Sequence, residues 1–263
     1  MRPFLSNGEG GKRIYDAVLA GDVDEVGAMV ARNPRLLATS RVLQQGERAS
    51  DGNTGGLLSF AIANCDARML GALLELGADP DGIPAGTPLT YALLADEPLM
   101  ATMLLQAGAA PDAHEPGSNT PLREVLYFER ADAVSLLARA GANVNHSDAV
   151  GGTPLEAAIS FGDYASAEIL MIAGANPWQV ANKGALPATM LTTPAKDASQ
   201  DPLREKLLAS AKAKAPIWPP PSQAEVQRQF ASGAWPNSEM TAAGMVASPA
   251  ALTSIRQAVA AAR

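Results

Sequence analysis

The sequence predicts an all-α protein, a stack of short helix pairs followed by a helical extension at the C-terminus. Two markers with one period carry that expectation. Thr-Pro-Leu occurs at Thr87-Pro88-Leu89, Thr120-Pro121-Leu122 and Thr153-Pro154-Leu155, evenly spaced at a thirty-three-residue step. A Gly-Ala pair recurs with it, at Gly77-Ala78, Gly108-Ala109, Gly141-Ala142 and Gly174-Ala175; its first interval is two shorter and the others keep the same step. Composition agrees: hydrophobic residues make up 47% of the chain but aromatics only 5%. A core drawn mainly from alanine and leucine suits closely packed short helices.

Each marker has a physical reading. Threonine is a good helix N-cap, and proline is tolerated at the first helical position. Between Thr and Gly lie two short helices, in the fourth unit roughly Pro121–Phe128 and Ala131–Ala140. The second of these shows Ala133, Leu136, Leu137 and Ala140 at helical spacing. Gly141 supplies the left-handed residue that stops it, and the Asn/Asp/Gly-rich stretch Asn143–Gly152 is turn chemistry. One such unit cannot bury its own apolar face, so neighbours must stack.

These residues resemble the ankyrin repeat, whose pattern runs roughly D-x-x-G-x-T-P-L-H-x-A-A-x-x-G, then V-x-x-L-L-x-x-G-A-D-x-N. The fifth unit is most similar, with Asp148-Ala149-Val150-Gly151-Gly152-Thr153-Pro154-Leu155, Ala157-Ala158 and Gly162-Asp163. Gly56–Ala61 through Asp79 reads as a degenerate second repeat, and Ile14–Ala17 with Gly21–Val26 as a first, capping one. Gly184-Ala185-Leu186-Pro187 stands one full step after Gly151…Pro154 and marks an atypical sixth, whose second helix would be Asp201–Ala213. The resemblance implies an ankyrin-repeat solenoid over 11–213, with repeats at 11–34, 56–82, 86–114, 119–147 and 152–180 and a capping unit at 184–213. Residues 1–10 read as a flexible lead. The family's His after Thr-Pro-Leu is replaced by Thr90, Arg123 and Glu156, so its hydrogen bonds between repeats must be absent or remade. Ala17 and Ala61 stand further apart than one step, which makes 35–55 an inserted loop of a kind often functional or disordered, read here as partly ordered.

Past the repeats, 214–221 is a Pro-rich linker with Trp218 followed by Pro219-Pro220-Pro221. It is extended or polyproline II, and serves either as a ligand for a proline-binding groove or as a strap docking Trp218 on the repeats. The extension 222–263 opens with a capping box, Ser222-Gln223-Ala224-Glu225, and a helix to about Ala231. Ser248-Pro249 opens a last helix to about Ala262, whose Ala251, Leu252, Ile255 and Val259 stripe needs covering.

Charge narrows the function classes. The net charge is −7, with 12 Lys/Arg against 22 Asp/Glu in residues 1–184 and 8 against 5 in 185–263. An acidic chain without a basic stripe is a poor nucleic-acid binder, and the basic tail is expected to fold back on the acidic repeats. Cys65 is the single cysteine, which fits a reducing compartment. No run approaches the roughly 18 apolar residues of a membrane helix. The first residues lack the apolar core of a signal peptide. A cytoplasmic protein is the expectation, favoured as a monomer, and its Ala- and Gly-rich composition has a bacterial cast.

The residues for chemistry are sparse. His114 and His146 occupy nearly equivalent places in successive loops; a metal would need a third ligand such as Asp112, Glu115 or Asp148, so two loop residues are the simpler reading and no metal or cofactor is expected. Cys65 reads as a small buried hydrophobe. Gly8-Glu9-Gly10-Gly11-Lys12 lacks the Walker spacing and the following Ser/Thr. Asp79-Pro80-Asp81-Gly82 is a turn. No carboxylates form a recognisable acid/base pair, and a site beyond residue 214 would have neither His nor Cys.

What the resemblance implies is protein binding at the concave face, made of loop tips and the exposed ends of first helices. Those helix-end positions hold Ala63 and Asn64, Leu94 and Ala95, Tyr127 and Phe128, and Ser160 and Phe161. Loop tips add His114, Glu115, His146 and Trp178. The rings either anchor a partner, or are covered by the C-terminal segment or by neighbouring repeats. The expectation is a non-catalytic binding module, with an inhibitor or immunity-type protein masking a basic target as one version. A self-associating scaffold or regulatory subunit whose C-terminal helices mediate assembly is the alternative.

Overall fold

The computed structural model describes residues 6–40, 56–82, 87–114, 119–213, 215, 217–236, 240–241 and 245–262. The fold is all-helical: strand-type pairing among the described residues is confined to two isolated bridges, Ser40 with Gly56 and Val180 with Ala247. Among the described residues no helix is long and apolar enough to cross a membrane. The chain divides into two compact units, Met1–Glu124 and Val125–Arg263.

The first unit holds α1 (Gly8–Leu19), α2 (Val23–Arg32), α3 (Leu57–Ala63), α4 (Ala67–Glu75), α5 (Thr87–Leu94) and α6 (Pro98–Gln106). Each odd helix pairs with the even one after it. The pairs stack in two rows, α1 on α3 on α5 and α2 on α4 on α6. The middle helix α3 is covered by α1, α4 and α5, so Leu57 through Ile62 are all buried. α7 (Pro121–Tyr127) spans the division. The second unit continues with α8 (Ala131–Arg139), α9 (Pro154–Phe161), α10 (Tyr164–Ile172), α11 (Pro187–Met190), α12 (Asp201–Ala213), α13 (Gln223–Ala231) and α14 (Pro249–Ala261). Here α8, α10 and α12 stack in one row and α11 lies on α9.

The helix pairs are nearly copies of one another for readable reasons. Every second helix begins at a fixed place, after Asp22, Asp66, Glu97, Arg130 and Asp163. Where that residue is Asp, its carboxylate accepts the backbone N–H three residues on, from Glu25, Met69 and Ser166. One turn further in come Val26, Leu70, Ala101, Val134 and Ala167, all without exposed surface. The stops match as well. Gly77, Gly108, Gly141 and Gly174 have φ of 89°, 99°, 87° and 96°. After each, an alanine donates its N–H to a carbonyl near the helix end, from Ala78 to Leu73, Ala109 to Leu104, Ala142 to Leu137 and Ala175 to Leu170. That is the Schellman closure, in which the left-handed residue lets the chain turn back over the last carbonyls.

Loop tips are stapled by Asx side chains. Asp81 accepts the Ala110 N–H at 2.7 Å. Asn145 accepts the Asn176 N–H at 2.7 Å and donates to the Gly174 carbonyl at 3.1 Å. These bonds join successive helix pairs.

In the second unit the position equivalent to Asp81 and Asn145, counted from the preceding glycine, is Trp178. Its indole is 2% exposed and forms a core with Val180, Leu186, Ala188, Val226, Met240, Met245 and Ile255. Two helices of the extension therefore close this end: α13 and α14 pack on each other and on a tight turn at Asn182–Gly184. Lys183 in that turn donates its N–H to Ser254 Oγ, while its carbonyl accepts from Gln223 and Gln227. Ser222 and Ser248 cap the two helices as expected. The extension thus folds back through apolar contact, and within the stacked row Lys206 of α12 pairs with Glu168 of α10.

Two expectations change, those for residues 8–10 and for Cys65. Residues 8–10 are not a lead but the first turn of α1, and Asn7 Nδ2 ties it to the Arg35 carbonyl and Thr39 Oγ1; the glycine-rich run concealed a helix start. The insert begins in order, as a 3-10 turn at Pro34–Ala38 with Leu36 and Thr39 buried, and its neck closes at Ser40 and Gly56; residues 41–55 lie outside the described residues. Cys65 is exposed, because it takes the left-handed position (φ 53°) between α3 and α4. A hydrogen bond and the negative charge of Glu97 hold its thiol above the ordinary range, which disfavours the thiolate.

Candidate functional site

The ends of α7 and α9 present a group of three aromatic rings on the surface of the second unit. Along α7, Val125 and Leu126 are fully buried. The helix period then turns the next two side chains outward, and these are Tyr127 and Phe128, 68% and 54% exposed. On α9, Ile159 is buried and Phe161 is 41% exposed. The rings find one another instead of the core. Tyr127 meets Phe128 edge to face at 5.3 Å between centroids, and Phe161 at 6.0 Å. Such contacts fix the rings relative to one another at about 0.5–1.5 kcal/mol each.

The backbone beneath the rings is held at both helix ends. α7 ends with the Arg130 N–H bonded to the Val125 carbonyl at 3.0 Å, α9 with the Asp163 N–H bonded to Ala158 at 2.9 Å. The left-handed residue between is Glu129 in one turn and Gly162 in the other. Carboxylates lie close to the rings in sequence. Glu129 is exposed directly after Phe128, Asp163 caps α10 two residues after Phe161, and Glu156, five residues before Phe161, accepts from Ser160 Oγ. The nearest cation in sequence, Arg130, is ion-paired with Asp132 at 3.6 Å.

The remaining expected site residues are not gathered there. Trp178 is the clear correction: an indole expected at a loop tip is the centre of the core that closes the second unit. His146 is half-buried in the loop before α9, so that helix, about 12 Å long, separates it from Phe161. Leu94, at the end of α5, and His114, whose Nδ1 meets the Asp112 carbonyl at 2.7 Å, are half-buried in the first unit. Glu115 lies outside the described residues. Among the described residues no three His, Cys, Asp or Glu side chains converge on a metal-sized site. Trp218 is 38% exposed, its ring 5.1 Å from Lys212 Nζ at the end of α12.

Sequence reasoning missed the acidic turns. Asp22, Asp66 and Asp163 each stand just before a helical apolar run, which is an N-cap signal, and with Asp96, Glu97 and Glu129 they make the turns between paired helices largely acidic. No protein-family model matches the sequence, and a search of curated proteins finds no relative.

Proposed function

We propose that the chain is an ankyrin-type repeat protein, a non-catalytic module that binds another protein through the Tyr127, Phe128 and Phe161 face. The even step of Thr-Pro-Leu, the Schellman glycines and the two rows of stacked helices in the first unit support the family reading. One observation carries the binding reading: three rings in mutual edge contact are left in solvent. Other exposed apolar residues, such as Leu99 and Ile172, have no ring of their own to stack and are ordinary for a protein surface. A preassembled aromatic group with a polar border loses little side-chain entropy on binding, as hot spots require. Asp163 and Glu156 beside it are engaged in a helix cap and a side-chain bond, which is structural work. An inhibitor or immunity-type protein acting in the cytoplasm as a monomer is the version that suits an acidic module facing a basic target. Against assembly through the C-terminal helices stands the burial of Ala251 and Ile255 of the α14 stripe within this chain, while Leu252 and Val259 are half-buried.

The test is a Phe128→Ala/Phe161→Ala double variant, titrated against the partner recovered from the source cell with the unaltered chain. Both rings are exposed, so thermal stability should stay close to that of the parent. Affinity should drop by at least about 2 kcal/mol, roughly thirtyfold. Equal affinity in the two proteins would dismiss this face.

A further inference from the structure

We infer that the ligand of the Tyr127, Phe128 and Phe161 face is an arginine-bearing basic segment of the partner; this rests on the binding reading above and adds the chemistry of the occupant. Two features of the face select it.

The first is the state of the rings. An aromatic cage for a small cation needs opposed ring faces with a gap between them. These rings touch edge to face at 5.3 and 6.0 Å, with interplanar angles of 82° and 86°, so they fill the space themselves and form a platform. A platform suits a flat, extended group laid across it. A guanidinium is planar, weakly hydrated and stacks on ring faces, whereas an ammonium is a compact, strongly hydrated point charge.

The second is the charge at the border. The repeat places a turn residue directly after each helix end, and here those turns are acidic. Glu129 is exposed directly after Phe128, and Asp163 stands just past Phe161 as the cap of α10. Arg130 is paired with Asp132, which leaves Glu129, exposed next to Phe128, as a carboxylate that meets solvent beside an apolar ring. An arginine engages both at once, its plane on a ring and its N–H fork on a carboxylate. A purely apolar ligand would leave these carboxylates partly desolvated, and an acidic one would be repelled.

The test is selection of random linear peptides displayed on phage against the full-length chain, and in parallel against the Phe128→Ala/Phe161→Ala variant. Peptides kept by the parent and lost by the variant should be enriched in arginine. A synthetic peptide from that set should bind about fivefold more weakly to a Glu129→Lys variant, whose melting temperature is checked first, and more weakly again as salt rises. If the ring-dependent peptides show no excess of basic residues, or Glu129→Lys leaves affinity unaltered, the arginine inference is wrong while the face stands. If no peptide distinguishes parent from double variant, the face itself is wrong and the inference falls with it.

Discussion

A methyl group on Gly151 would stand 2.4 Å from the Ala251 Cα and 2.6 Å from the Ala251 nitrogen, so the loop before α9 and the start of α14 touch through their backbones. Gly151 also has φ of 88°. Gly151→Ala must therefore move α14 as well as strain its own turn, at a cost of about 2–4 kcal/mol. Gly141→Ala is the control. Its φ of 87° is nearly the same but nothing lies within 4 Å of the added carbon, so the cost should be only about 1 kcal/mol. Urea midpoints at unchanged m-value would give both numbers. Equal losses would mean that α14 does not rest on this loop.

Asn145 is a second joint. Its side chain both accepts from the Asn176 N–H and donates to the Gly174 carbonyl, tying one loop tip to the next. Asn145→Ala leaves two polar backbone groups short of a partner and should cost about 1–3 kcal/mol. Asn145→Asp keeps the acceptor and loses the donor, and should fall between. An Asp variant as unstable as Ala, read from the same urea midpoints, would show that the Gly174 bond is the one that matters.

Glu129 stands where the next pair has Gly162, both left-handed, with φ of 53° and 82°. A side chain there crowds the backbone, and glycine does not. Glu129→Gly should raise stability by about 0.5–1 kcal/mol, read as a higher melting temperature. It should also weaken a basic ligand by removing a border charge. Stability and binding would then move in opposite directions, the behaviour of strain kept for function. A destabilised Glu129→Gly protein would show that the glutamate is structural.

How much of this was legible follows from what each residue type encodes. The helix pairs could be read because glycine at a left-handed stop and threonine before proline are local signals, fixed by backbone sterics and a single cap bond. The helices at Asp201–Ala213 and from Ser222 and Ser248 were legible for the same reason. The rings at Tyr127, Phe128 and Phe161 could be placed by counting along the repeat. Trp178 could not. Position within the repeat marks a loop tip, but what lies over that tip is decided by Val226, Met240, Met245 and Ile255, all far along the chain and beyond the repeats. Gly8–Gly11 failed in the opposite direction: glycine disfavours helix by about 1 kcal/mol each, and tertiary ties from Asn7 to Arg35 and Thr39 override it.

A chain ending at Ala213 tests the role of the extension. It would remove Val226, Met240, Met245 and Ile255, each at most 3% exposed, from their places over Trp178, Val180 and Leu186. Burial of such side chains is worth about 1.5–3 kcal/mol each, so roughly 6–12 kcal/mol of apolar contact disappears, an upper bound because the unfolded chain already hides part of it. That is comparable to the whole stability of a typical domain, about 5–15 kcal/mol. The shortened protein should melt far lower and scatter light, since an indole and its apolar neighbours face solvent at an open end. The alternative role, in which the extension joins copies of the chain, makes the reverse forecast: the full chain would be the larger species in light scattering and the shortened one a stable monomer. A stable, monomeric protein ending at Ala213 would therefore remove the extension from the fold and return it to assembly.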